Sequence, residues 1–223
     1  MIKLVGFDLD GTIGDTIPMC IEAFREAVAP YAGHALADEE IVQTFGLNEE
    51  GMVRRVAGER WEEALEDFYE VYERMHDRCP RPFDGMAELI EELKRHGIAV
   101  ALVTGKGERS CGITLRRFGM ASCFGRIETG SPERNRKAEA LADLMAHYGI
   151  GPDEMVYVGD ALSDITACRE AGVRCLSAAW AVPPDIAERQ EAENPGAVFP
   201  SVGALRDHLQ KSGCLDERSR YEI

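Results

Sequence analysis

Apolar residues along this chain follow two periods. Five short runs, 2–7, 98–103, 126–128, 155–158 and 173–178, predict β-strands. All but the weak third run are rich in Val, Ile and Leu, as strands covered on both faces should be. Between them, apolar residues recur at helical spacing. Met86, Leu89, Ile90 and Leu93 lead to Gly97; Leu141, Leu144, Met145 and Tyr148 lead to Gly149; Ile165, Cys168 and Ala171 lead to Gly172. Each glycine suits the position just past a helix, where left-handed backbone is needed. Repeated helix, glycine, strand units predict an α/β fold with a mainly parallel sheet.

From about Asp15 to Arg81 this rhythm breaks. Ile17, Ile21, Phe24 and Val28 predict one amphipathic helix, with Thr16 as its cap. Asp38 is placed to cap a second over 39–45. Trp61, Leu65, Phe68, Tyr72 and Met75, spaced by alternating fours and threes, predict a third. The block contains no convincing strand and ends at Pro80-Arg81-Pro82. The expected architecture is therefore a Rossmann-like α/β core, residues 1–14 and 82–223, carrying an inserted α-helical cap domain, residues 15–81. The polar tail after Leu209 is expected to be loosely held.

Composition narrows the classes. The formal net charge of -15, from 25 basic and 40 acidic side chains, argues against a nucleic-acid or anionic-membrane surface. It leaves room for an anionic substrate, because a metal and one or two lysines can reverse the field in a small pocket. No run approaches membrane-spanning length and no signal-peptide pattern opens the chain. Seven cysteines without a C-x-x-C pair fit reduced thiols in a cytoplasmic protein. Five scattered histidines offer no zinc spacing.

Open parallel sheets bind ligands at the carboxyl ends of their strands, so those ends carry the candidate chemistry. The first strand runs into Asp8-Leu9-Asp10-Gly11-Thr12. Residues i and i+2 of a strand share a face, and two such carboxylates need a cation between them. Mg²⁺ suits that role because it favours hard oxygen ligands. The second strand ends in Thr104-Gly105-Lys106, offering a hydroxyl, an amide and a cation. The fourth ends in Gly159-Asp160, with Asp164 four residues on. Lys137 falls near a helix start, whose positive end favours anions. Each group alone reads as a turn, a cap or a solvated side chain. Together they offer carboxylates for a metal, donors for phosphate oxygens, and one carboxylate to attack phosphorus.

This set resembles the haloacid dehalogenase (HAD) superfamily, from Lys3 to about Leu209. Phe7-Asp8-Leu9-Asp10-Gly11-Thr12 is similar to the family's first motif, Thr104 to its second, Lys137 to its third, and Gly159-Asp160 with Asp164 to its fourth. The position of the insertion resembles the branch with a helical C1-type cap that includes phosphoglycolate phosphatases. The resemblance implies a Mg²⁺-dependent phosphatase for a small phosphorylated metabolite. Asp8 would be the nucleophile that forms an aspartyl-phosphate. Asp10 would handle protons and bind the metal through its carbonyl, and Asp160 would bind the metal directly. Asp164 would hold the metal through water or orient Lys137, while Thr104, Gly105 and Lys137 hold the phosphoryl group. Ala138 follows Lys137 where the branch often has proline, which makes Lys106 a rival lysine.

Three other functions stay open on the residues: a phosphomutase of the β-phosphoglucomutase type, a pyrophosphatase, and a non-catalytic binding protein on a HAD scaffold. Asp10 argues against a dehalogenase, which replaces that residue. Gly105-Lys106-Gly107-Glu108-Arg109-Ser110 nearly matches a dinucleotide fingerprint but ends in Ser where Gly or Ala is needed. Arg54 and Arg55 are the cap cations to test for substrate contact, against the plainer expectation of surface ion pairs. The loop Phe45-Gly46-Leu47-Asn48 is a candidate to face the site. Oligomeric state is left open.

Overall fold

The structure, a computed structural model, describes residues 1–212 and Leu215. Among these, six parallel strands form one sheet in the order β3-β2-β1-β4-β5-β6. They are β1 (Leu4–Phe7), β2 (Ala99–Val103), β3 (Arg126–Glu128), β4 (Met155–Gly159), β5 (Arg174–Ala178) and β6 (Val198–Phe199). The first five match the predicted runs to within two residues. The sixth is two residues long, too short to show a period.

Alternation along each strand builds two cores. Val5, Phe7, Val100, Leu102, Val156 and Val158 point to one face, against helix α5 (Met86–Arg95) and α10 (Val202–Lys211). Leu4, Ala101, Val103, Met155 and Tyr157 point to the other, against α7 (Lys137–Tyr148) and α8 (Leu162–Ala171). Two further helices, α6 (Glu108–Arg117) and α9 (Pro184–Glu193), complete the layers. Gly97, Gly149 and Gly172 take the left-handed backbone that the sequence demands, at φ 76°, 62° and 73°. The tail expected to be loose begins instead with the last turn of α10, and Leu215 is buried. Residues 213, 214 and 216–223 lie outside the described residues.

Between β1 and β2 the chain forms α1 (Ile17–Ala32), α2 (Asp38–Val42), α3 (Glu49–Ala57) and α4 (Trp61–Met75). These bury a third apolar cluster of their own, including Phe24, Val28, Ile41, Val53, Phe68 and Tyr72. Helix α3 was not visible in the apolar pattern, because Glu49, Glu50, Arg54 and Arg55 dilute it and Gly51 lowers its propensity. Asn48 caps it, its side chain accepting from Gly51 N–H at 3.1 Å. The two expected caps fare differently. Thr16 stands at the cap position of α1 as expected but makes no side-chain capping bond, its hydroxyl donating to Asp10. Asp38 is the first residue of α2, not its cap, and the helix stops at Val42, three residues early. Among the described residues, no helix is long and apolar enough to cross a membrane.

Candidate active site

Strand β1 sits between β2 and β4, where the chain leaves in opposite directions across the sheet. This is the switch point at which open α/β sheets gather ligands. Asp8 extends β1 by one residue, its N–H donating to Val158 C=O at 2.8 Å. The carboxylate is held on both sides: Leu9 N–H donates to Oδ1 at 2.7 Å, and Lys137 Nζ donates to Oδ2 at 2.6 Å. Lys137 is the first residue of α7, where Asn135 Oδ1 accepts its N–H at 3.0 Å. The same ammonium donates to Asp164 Oδ1 at 2.6 Å. Asp164 is fully buried, and its Oδ2 accepts Ala161 N–H at 2.9 Å to start α8. Of the two roles the resemblance gave Asp164, holding a metal through water or orienting Lys137, this contact supports the second.

Asp160, at the end of β4, accepts from the Thr12 hydroxyl at 2.9 Å. Its carbonyl accepts from Gln190 Nε2 of α9 at 2.6 Å. Gly11 passes close beside it at φ 75°; a Cβ there would lie 2.3 Å from Asp160 Oδ2. Only glycine allows both that backbone and that approach. Trp180 Nε1 donates to Thr12 C=O at 3.2 Å, fastening the same loop from the far side, so its role is packing and tethering. Gln190 was missed in the sequence. It lies 30 residues from its partner on a helix with no chemical signature.

Asp8, Asp160 and Asp164 each present a carboxylate oxygen, all within 4.8 Å of one another, and all three are buried. With Lys137 the group carries three carboxylates and one ammonium. Burial lifts the Asp8 carboxyl to about 7, against the pull of Lys137 and with the push of Asp164 and Asp10. Burial also drives Asp160 well above the carboxylate range, reinforced by Asp8 and Asp164. Burial works against the Lys137 ammonium too, but Asp164 and Asp8 outweigh it and hold the pKa above its ordinary value. One ammonium does not balance three carboxylates, and the all-oxygen donor set of the three fits a hard divalent cation. It includes the side chain of Asp164 in place of that of Asp10, whose carboxylate turns elsewhere.

Asp10 accepts from the Thr16 hydroxyl and lies 3.5 Å from Lys106 Nζ and 3.7 Å from Cys20 Sγ. Lys106, the rival lysine, therefore sits beside Asp10, while Lys137 sits beside Asp8. Burial opposes the Lys106 charge, yet Asp10, Cys20, Tyr72 and Glu49 together raise its pKa well above the usual value. Thr104 is buried, and its Oγ1 accepts Lys106 N–H at 3.2 Å. It lines a small recess shared with Gly105 and Lys137.

An opening of about 160 Å³ lies between the strand ends and the helices that follow β1. Asp8, Asp10, Gly105, Lys106, Lys137 and Asp160 form its floor. Phe45, Gly46 and Leu47 of the suspected loop do reach it. Arg54 and Arg55 do not: both are exposed on α3, and Arg54 pairs with Glu50 and stacks on Trp61. Glu49, unnoticed among so many acidic residues, reaches it instead. Its carboxylate accepts from Gly107 N–H at 2.7 Å and the Ser110 hydroxyl at 2.6 Å, and lies 3.4 Å from Lys106 Nζ. The near-dinucleotide fingerprint thus turns its helix start toward a side chain of this chain.

A parallel α/β core with buried carboxylates and a lysine gathered at its switch point is the framework of a hydrolytic enzyme built on acidic residues. Comparison with known proteins gives the group. The family model for haloacid dehalogenase-like hydrolases matches residues 5–178. A protein of Caldanaerobacter subterraneus subsp. tengcongensis, provisionally named pyrophosphatase PpaX, is 31% identical over 189 residues, 82% of this chain and 84% of that one. A phosphoglycolate phosphatase of Pseudomonas savastanoi pv. phaseolicola is 31% identical over 231 residues, covering 96% and 80%. Among solved structures, CbbY from Rhodobacter sphaeroides in complex with phosphate superposes with a TM-score of 0.73 at 22% identity, covering 90% of this chain and 95% of that one. The chain belongs to the haloacid dehalogenase-like hydrolase family. Within it, the chain is a phosphatase of the phosphoglycolate phosphatase-like branch.

Proposed function

We propose that the protein hydrolyses the phosphate ester of a small metabolite through an aspartyl-phosphate on Asp8, with Mg²⁺ as cofactor. The observation that carries this reading is the Asp8 carboxylate, buried at the switch point with one oxygen held by Leu9 N–H and the other 2.6 Å from the Lys137 ammonium. Asp8, Asp160 and the carbonyl of Asp10 would hold the metal, with Asp164 at its edge; the bound ion supplies charge neutralisation for an anionic nucleophile meeting an anionic ester. Lys137 orients Asp8 and offers its charge to the phosphoryl oxygens. The Thr104 hydroxyl proton and the Gly105 N–H serve as further donors.

Asp10 is the proton-handling group. It protonates the leaving oxygen, then takes a proton from the water that hydrolyses the acyl phosphate. Thr16 fixes its orientation. The insertion, residues 15–81, acts as a cap that excludes bulk water and limits access to small substrates. The acidic surface supports a metabolite rather than nucleic acid or a membrane as partner. The described cysteines are all unbridged, which supports a reducing, cytoplasmic setting.

The test is phosphate release with Mg²⁺ from a panel including phosphoglycolate, sugar phosphates, nucleotides and pyrophosphate. Asp8→Asn is expected to lower turnover on every active substrate by at least about 10³-fold, as loss of a covalent nucleophile should. Near-normal rates in that variant would remove Asp8 from the chemistry. Isomer formation without net phosphate release would favour a mutase.

A further inference from the structure

The wall of the opening that faces away from the strand ends is apolar: Ile17, Phe24, Phe45, Leu47, Met52 and Phe68. Two ammonium groups reach the opening, Lys106 and Lys137, and both are engaged. Lys137 lies between Asp8 and Asp164, where the transferring phosphoryl group belongs. Lys106 lies between Asp10 at 3.5 Å and Glu49 at 3.4 Å and is itself buried. The insertion's nearby arginines, Arg54 and Arg55, point to solvent.

The start of α6 is the natural seat for a second anion. Gly107 N–H, the Ser110 hydroxyl and the Lys106 ammonium converge there, at the positive end of a helix. That seat is filled by the Glu49 carboxylate, itself buried. An ester with a carboxylate or second phosphate on its leaving group would have to displace Glu49 or lie beside it and Asp10 with only the neutral side chains of Asn135 and Ser163 as further partners. Either is costly in a partly dry pocket.

Resting on the phosphatase reading above, we propose that the leaving group this pocket accepts is uncharged and largely apolar, because Glu49 already occupies the donors that would hold a second anion. Relatives named phosphoglycolate phosphatase do not decide this, since the selecting residue is a single side chain of the insertion.

The test compares propyl phosphate with phosphoglycolate in two ways. Calorimetric binding to Asp8→Asn with Mg²⁺ is expected to favour propyl phosphate by at least about tenfold in Kd, or ~1.4 kcal/mol. Wild-type kcat/KM is expected to keep that order. Equal or tighter binding of phosphoglycolate overturns the proposal, as does failure to bind either ester. Glu49→Gln added to Asp8→Asn should shift the Kd ratio toward phosphoglycolate at least about fivefold, as expected when a like charge is removed from a binding pocket; an unchanged ratio overturns the role of Glu49. If Glu49→Gln does not fold, the comparison without it still decides the leaving-group preference. A wild type that releases no phosphate from any ester overturns the phosphatase reading alone, because the binding ratio is read in a variant that does not turn over.

Discussion

Asp8, Asp160 and Asp164 share one dry volume with a single ammonium, and their titration follows from that crowding. Burial lifts Asp8 to about 7. A carboxyl raised above its unfolded value holds a proton in the folded state that the unfolded chain has released, so its contribution to stability is present at low pH and lost as pH rises through about 7. The metal-free protein should therefore lose Tm between about pH 4 and 7, a span set by the ordinary carboxyl value and this raised one. A divalent cation competes with that proton. Saturating Mg²⁺ should raise Tm more at the upper end of this range than at the lower. Differential scanning fluorimetry at fixed ionic strength reads both, and a Mg²⁺ shift that shrinks with rising pH would remove the cation from this cluster. Gly11→Ala should abolish most of the shift, because its Cβ would stand 2.3 Å from Asp160 Oδ2. The two carboxylates of Asp8-Leu9-Asp10 were legible as a pair in the sequence, and the family resemblance implied different work for each, but the partners that hold them apart were not legible. Asp8 faces Lys137 and Asp10 faces Thr16 and Lys106, partners lying up to 129 residues away.

At the scale of elements, two of the contacts that fasten the helices between β1 and β2 to the rest of the molecule are open to test. One is the start of α3, where Asn48 N–H donates to Ser131 C=O at 2.9 Å and a Cβ on Gly51 would lie 2.3 Å from Pro132 C=O. Gly51→Ala must push α3 outward, since the obstacle is backbone. KM should rise at least about tenfold while the sheet domain stays folded, as expected when a closing element is displaced; steady-state kinetics beside circular dichroism would show it, and an unchanged KM would separate α3 from substrate binding. The other is a buried chain that joins α4 and the turn after it to α6. His76 Nδ1–H donates to Cys79 C=O at 2.9 Å, so Nε2 accepts from the Thr114 hydroxyl at 2.9 Å, and that oxygen accepts from Tyr72 O–H at 2.7 Å. Burial lowers the His76 pKa, in keeping with the neutral ring this chain needs. Thr114→Val strands two buried polar groups and should cost about 2 kcal/mol in urea unfolding. Helices α1 and α4 could be read from their apolar stripes. Helix α3 could not, because its function is to dock polar and glycine positions against the core, and that leaves no stripe.

The whole molecule carries a net charge of -15, yet its substrate class is anionic. Long-range repulsion should slow capture of a dianionic ester, and salt should relieve it. Between about 10 and 150 mM salt, where the Debye length falls from roughly 30 to 8 Å, kcat/KM should rise about twofold. A fall would mean that a local positive field around Lys106 and Lys137 dominates approach. Sequence by itself determined the α/β class, five of the six strands among the described residues, the helical character of the stretch between the first two strands and the acidic strand ends. Those features arise from local periodicity, turn chemistry and the rule that parallel sheets present their strand ends as a site. Only the tertiary structure decided which lysine serves which aspartate, that Asp164 contacts Lys137 directly, and that Glu49 rather than Arg54 or Arg55 reaches the opening. These pairings depend on where helices from distant parts of the chain come to rest against one sheet, and a charge in an acid-rich sequence shows its partner only once burial has removed the alternatives.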